Sequence, residues 1–123
     1  MKNIVLPIKS EYVKHILEGT KKYEFRKIKC KEKINYMYIY ETAPVKKVVA
    51  KVKVIDIIEG TPEEVWNKCY HSAGIEKESY DKYFLNRNKA YAFCLGECIK
   101  FESPKELSDY GISFTPQSFV YIN

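Results

Sequence analysis

Residues 46–60, KKVVAKVKVIDIIEG, alternate apolar and polar side chains through Val48, Ala50, Val52 and Val54, then change phase to Ile55 and Ile57. A period of two places the apolar residues on one face of a strand, and a change of phase within the run requires a bulge or bend. A second long alternating segment, NKAYAFCLGECIKF, carries Tyr91, Phe93 and Leu95 on one face. Long strands of this kind bury one another only by curling, so a small barrel or strongly bent sheet is expected, with Val48, Val52, Phe93 and Leu95 among its buried residues.

The remaining elements are shorter. Asn3 to Ile8 reads as a strand ending near Pro7. In SEYVKHILEG, Ser10 caps a helix whose Tyr12, Val13, Ile16 and Leu17 share one face, and Gly19 suits the left-handed residue just past its end. INYMYIYETAP is a β-rich strand, with Tyr36, Tyr38 and Tyr40 on one side and Met37 and Ile39 on the other, followed by a turn over Thr42 to Pro44. Thr61, Pro62 and Glu64 form a capping box that starts a helix carrying Val65 and Trp66 inward, and a second helical stretch around ESYDKYFL ends by Asn86. SPKELSDYG holds a helical turn, and PQSFVYI closes the chain as a short strand. The expected fold is therefore α+β, mainly β, with five or six mostly antiparallel strands. A helix follows strand 1 and a helical insertion separates strands 4 and 5. The 123 residues make one domain.

Composition narrows the classes of function. No apolar run is long enough to cross a bilayer, and MKNIVLPIKSEY has no signal-peptide pattern, so a soluble, cytoplasmic protein is expected; a monomer is the expected state. Cys30, Cys69, Cys94 and Cys98 are scattered without a C-x-x-C pair, and Cys69 with His71 finds no second ligand pair at usable spacing. Reduced packing thiols are expected, with no metal and no cofactor. Met1 to Lys53 contains 14 Lys or Arg against 5 Asp or Glu, whereas Val54 to Asn123 contains 7 against 11. A field concentrated in this way suits a phosphate-bearing partner and disfavours a strongly cationic substrate.

The densest charge lies in GTKKYEFRK, Gly19 to Lys27, where Tyr23 and Phe25 point one way while Lys22, Glu24 and Arg26 point the other. Gly19, Lys21, Glu24 and Arg26 fit G-x-K-x-x-E-x-R, the signature of the ASCH domain in the PUA-like superfamily. With YIYETAPVKKVVA and the closing PQSFVY, the chain resembles a small single-domain member of that family over nearly its whole length. The resemblance implies a PUA-like barrel and a groove between the first helix and the barrel that binds RNA or a modified nucleoside. Chemistry points to a site independently. Lys21 offers a point charge and Arg26 a planar fork, and Glu24 either holds a neighbouring cation or accepts from a base amino group. The expected binding set is Lys9, Gly19, Thr20, Lys21, Glu24, Arg26, Tyr40, Thr42, Gln117 and Ser118, against the alternative of a solvated strand face.

A binding module for RNA or a nucleotide-like ligand is the preferred reading, and an enzyme acting on RNA or a modified nucleoside is the alternative. In ASCH amidohydrolases of acetylated cytidine, the resemblance assigns a threonine nucleophile to the position held here by Glu24, with the motif lysine as partner. This chain keeps Lys21 but not the threonine, and Thr20 precedes Lys21 in the turn. Other members are ribonucleases, for which Lys21 and Glu24 are the catalytic candidates; His15 could join an acid/base scheme but reads as a solvated helix residue.

Overall fold

The structure, a computed structural model, describes residues 1–122. In chain order its elements are β1 (Lys2–Ile8), α1 (Ser10–Glu18), β2 (Tyr23–Arg26), β3 (Ile34–Glu41), β4 (Lys47–Gly60), α2 (Pro62–Cys69), a 3₁₀ turn (Tyr70–Ser72), α3 (Lys77–Tyr83), β5 (Ala90–Lys105), a second 3₁₀ turn (Leu107–Tyr110) and β6 (Val120–Ile122). The helix after strand 1 and the helical insertion between strands 4 and 5 are where the sequence pattern puts them.

All six strands join one sheet in the order β2-β5-β4-β3-β1-β6. β1 runs parallel to β3, because the intervening α1 and β2 carry the chain back across the sheet, and the other pairs are antiparallel. The phase change expected near Val54 is present: β4 slips register against β5 between Val52 and Val54 and again between Val54 and Asp56. It leaves Ile55 exposed. The barrel expectation is corrected. Among the described residues the ladder ends at β2 on one side and β6 on the other, and these two strands do not pair. A bulge bends a strand but does not join two edges, and with 4 and 3 residues respectively these edge strands are too short to close the ladder.

Two apolar clusters frame the region of interest. Val13 and Ile16 of α1 pack on Ile4, Leu6 and Ile8 of β1, Met37 and Ile39 of β3, and Val52 and Phe93 of the long strands. On the other side of β2, Phe25 packs into the insertion with Val65, Cys69, Ala73, Tyr80 and Phe84. Val48, Val52 and Phe93 are buried as expected, and Leu95 is half-buried.

Two helix ends follow the expected local chemistry and a third does not. Gly19 takes the left-handed conformation, φ 83°, that ends α1. Ser10, expected as the cap, is instead the first helical residue; the extended Lys9 precedes it, and the buried Ser10 hydroxyl makes no hydrogen bond among the described residues. Thr61 caps α2 in a reciprocal box with Glu64. Thr61→Ala is expected to cost about 1 kcal/mol, read as a shift in the midpoint of urea unfolding.

Candidate functional site

The turn after α1 is fastened from three directions. The His15 carbonyl accepts from the Thr20 and Lys21 amides at 3.0 and 3.1 Å and from the Thr20 hydroxyl at 3.2 Å. The Lys22 amide donates to the Ser72 carbonyl of the insertion at 2.9 Å, and the Leu95 amide of β5 donates to the Lys22 carbonyl at 3.0 Å. Strapped in this way, the backbone turns the Lys21 side chain inward. Lys21 is only 3 % exposed and Glu24 only 7 %.

Their charges form a small network. Arg26 donates through Nε and Nη2 to one oxygen of Glu24, Oε2, at 3.0 and 2.8 Å, and through Nη2 to the Pro7 carbonyl at 2.7 Å. The other carboxylate oxygen, Oε1, stands 3.9 Å from Lys21 Nζ, an ion pair too long for a hydrogen bond. Lys21 Nζ donates to the Ala73 carbonyl at 2.7 Å and lies 5.4 Å and 5.1 Å from the ring centres of Tyr12 and Phe25. Two cations thus share one carboxylate out of water. Burial pulls the Lys21 pKa below its ordinary 10.5, and Glu24 opposes that shift. Burial raises the phenols of Tyr12 and Tyr83, so both remain neutral hydrogen-bond donors at neutral pH.

These groups line a cleft of about 220 Å³ bounded by Pro7, Ile8 and Lys9 at the end of β1, Tyr12 of α1, Lys21, Glu24, Phe25 and Arg26 in and before β2, and Ile75 and Tyr83 of the insertion. Lys27 extends the charge past it, its Nζ 4.4 Å from the centre of the Tyr83 ring. The walls are therefore aromatic and apolar, and the floor carries the ionic network.

Of the sequence-selected residues, Lys9, Lys21, Glu24 and Arg26 meet in this cleft. Gly19, Thr20, Tyr40, Thr42, Gln117 and Ser118 are not among its lining residues. Gly19 and Thr20 are exposed on the turn, with the Thr20 hydroxyl engaged by His15. Tyr40 is 4 % exposed and packs with Val5 and Val48 on the opposite side of the sheet. The Thr42 amide bonds to the Ile8 carbonyl in the turn after β3, while Gln117 and Ser118 precede β6. His15 sits beside Glu18 at 3.6 Å, on the exposed face of α1. Tyr36 and Tyr38 lie outside the cleft as well, Tyr36 with the Lys51 and Lys53 ammoniums 4.7 and 5.3 Å from its ring centre.

Sequence reasoning missed Ala73, Gly74, Ile75 and Tyr83, because nothing local ties the distant insertion, its loop or its helix α3, to Lys21. The helical spacing puts Tyr12 on the apolar face of α1 with Val13, Ile16 and Leu17. Its signal was available: it is the one aromatic residue on α1, on the face that meets the motif.

A family model described as the ASCH domain matches residues 6–105. Among curated proteins the chain is 32 % identical over 95 residues to the ASCH domain-containing ribonuclease of Zymomonas mobilis subsp. mobilis, covering 76 % of this chain and 64 % of that protein. It is 31 % identical over 90 residues to the large ribosomal subunit protein uL22 of Ureaplasma parvum serovar 3, covering 73 % of this chain and 29 % of that protein. The chain thus spans less than two thirds of each relative's length. Its structure resembles the crystal structure of ASCH from Zymomonas mobilis with a TM-score of 0.89 and 28 % identity, over 99 % of this chain and 88 % of that one.

Proposed function

The chain belongs to the ASCH domain family, and we propose that its cleft binds single-stranded RNA, seating one nucleotide unit against Lys21. The observation that carries this is unbalanced charge: Lys9, Lys21 and Arg26 line the cleft with Glu24 as the one carboxylate among them. Lys9 is exposed and Arg26 half-buried, so the excess held away from water is that of Lys21 and Arg26 over Glu24; it is costly, and an anionic ligand relieves it. The half-buried Tyr12 and Tyr83 rings add faces on which a base can stack. At about 220 Å³ the cleft is smaller than those that enclose drug-sized ligands, roughly 300–1,000 Å³. That suits one unit of a strand whose neighbours stay in solvent. Under this reading the domain works as a cytoplasmic monomer; no helix of the described residues is long and apolar enough to cross a membrane.

The test is a fluorescence-anisotropy titration of a short single-stranded RNA at several salt concentrations. Two or three neutralised phosphates predict a log–log slope between about −1.4 and −2.1, at about −0.7 per phosphate. Absence of binding at every salt concentration, or affinity indifferent to salt, would rule the reading out.

Cleavage of RNA at the same cleft is a second reading, favoured by the state of Lys21. An amine whose pKa is drawn down, beside a carboxylate and facing a cleft, is suited to moving protons. A relative named a ribonuclease adds to this. In cleavage by the neighbouring 2′-hydroxyl, the O2′–P bond forms as the P–O5′ bond breaks; one proton leaves O2′ and another reaches O5′. Under this reading Lys21 and Glu24 exchange them, and fragments on a denaturing gel, lost in Lys21→Met, are the expected result. Deacetylation of acetylcytidine by a threonine nucleophile finds no support, since no Ser or Thr lines the cleft.

A further inference from the structure

The geometry points to the Ser72–Gly74 turn of the insertion, and to Gly74 in particular, as the element that positions Lys21 for its ligand. That ligand is the RNA proposed above; the contact with Lys21 does not depend on it.

Three consecutive residues engage the motif lysine, Lys21, and its neighbour Lys22. The Ser72 carbonyl accepts from the Lys22 amide at 2.9 Å, and the Ala73 carbonyl accepts from Lys21 Nζ at 2.7 Å. Gly74 then lies directly on the Lys21 stem: a Cβ built there would stand 2.4 Å from both Cβ and Cγ of Lys21 and 2.9 Å from Cδ. These atoms are at the root of the side chain, which cannot swing aside as a flexible tip can. The turn itself would have to withdraw. Gly74 also has φ +65°, a second and separate reason for glycine.

The close approach has a functional consequence. The titratable groups around the Lys21 ammonium are Tyr12 from α1, Glu24 and Arg26 from β2, and Cys69 from α2. Glu24 stands at 3.9 Å, so the Ala73 carbonyl is the hydrogen-bond acceptor that fixes the ammonium among the described residues. Ile75, the next residue, is itself a wall of the cleft. One short turn therefore sets both where the charge sits and how wide the space before it is. Gly74 acts through Lys21 and is a positioning residue.

A double-mutant cycle with Lys21→Gly tests the contact. The strain of a positive φ at position 74 is present in both backgrounds and cancels, whereas Cβ, Cγ and Cδ of Lys21 are all absent from Lys21→Gly. Gly74→Ala should therefore destabilise the parent more than it destabilises Lys21→Gly, and an additive cycle would overturn the contact. The second readout is the pH dependence of Lys21 acylation by acetic anhydride, followed by peptide mass spectrometry. As the turn withdraws and water reaches the ammonium, the midpoint should rise toward 10.5, and affinity for the short RNA should fall about ten-fold. A folded Gly74→Ala protein with the parent's midpoint and RNA affinity would refute the proposal. Should Gly74→Ala not fold, Gly74→Asn retains the contact while tolerating the positive φ better. If the parent fails to bind RNA, the RNA reading falls and the acylation midpoint alone decides the role of Gly74.

Discussion

Lys21→Met is expected to remain folded, within about 1 kcal/mol of the parent in stability, while losing about ten-fold or more in affinity for single-stranded RNA. Two opposing effects explain the small change in stability. Methionine fills similar volume and removes a cation held out of water, but it leaves the Ala73 carbonyl without its donor. Glu24 keeps its two hydrogen bonds from Arg26. Binding has no such compensation, because the ammonium is the charge at the floor of the cleft. The comparison also has a pH signature. The Lys21 pKa is lower in the folded protein than its ordinary 10.5. Below the folded value the lysine is protonated in both states, and the burial penalty is present in full. Between that value and 10.5 the unfolded chain binds more protons, so the parent gains stability relative to Lys21→Met as pH rises. Urea unfolding of both proteins across this range checks the sign.

Glu24→Gln is expected to cost about 3 kcal/mol, the scale for removing one partner from a buried pair. The amide still accepts from Arg26, but Lys21 and Arg26 then share a buried region without an anion. The loss should be smaller in a Lys21→Met background, where one of the two cations is gone, and that difference measures the coupling. Equal losses in the two backgrounds would mean that Lys21 and Glu24 do not interact, despite standing 3.9 Å apart. Exposed long side chains contribute little to stability, but Lys21 and Glu24 are not exposed.

Legibility in the sequence depended on how local the cause was. The alternation and phase change of β4, the Thr61 box and the glycine after α1 are set by neighbouring residues, and all three were readable. Closure of the sheet was not, because it depends on whether β2 and β6 meet, and no pattern within either strand encodes that. The shared face of Glu24 and Arg26 followed from a period of two. That this face is covered did not, since the cover comes from α1 and from an insertion some fifty residues away. Tyr40 shows the reverse error: its place beside a turn suggested a cleft mouth, whereas the sheet turns it into a separate apolar cluster.

Ultraviolet crosslinking of single-stranded RNA to the protein, with the attached peptides identified by mass spectrometry, tests the central claim most directly. Crosslinks at Tyr12, Lys21 or Tyr83, reduced in Lys21→Met, are the predicted result. Crosslinks confined to the outer sheet face around Tyr36, Lys51 and Lys53, and unchanged in Lys21→Met, would contradict the assignment of the cleft.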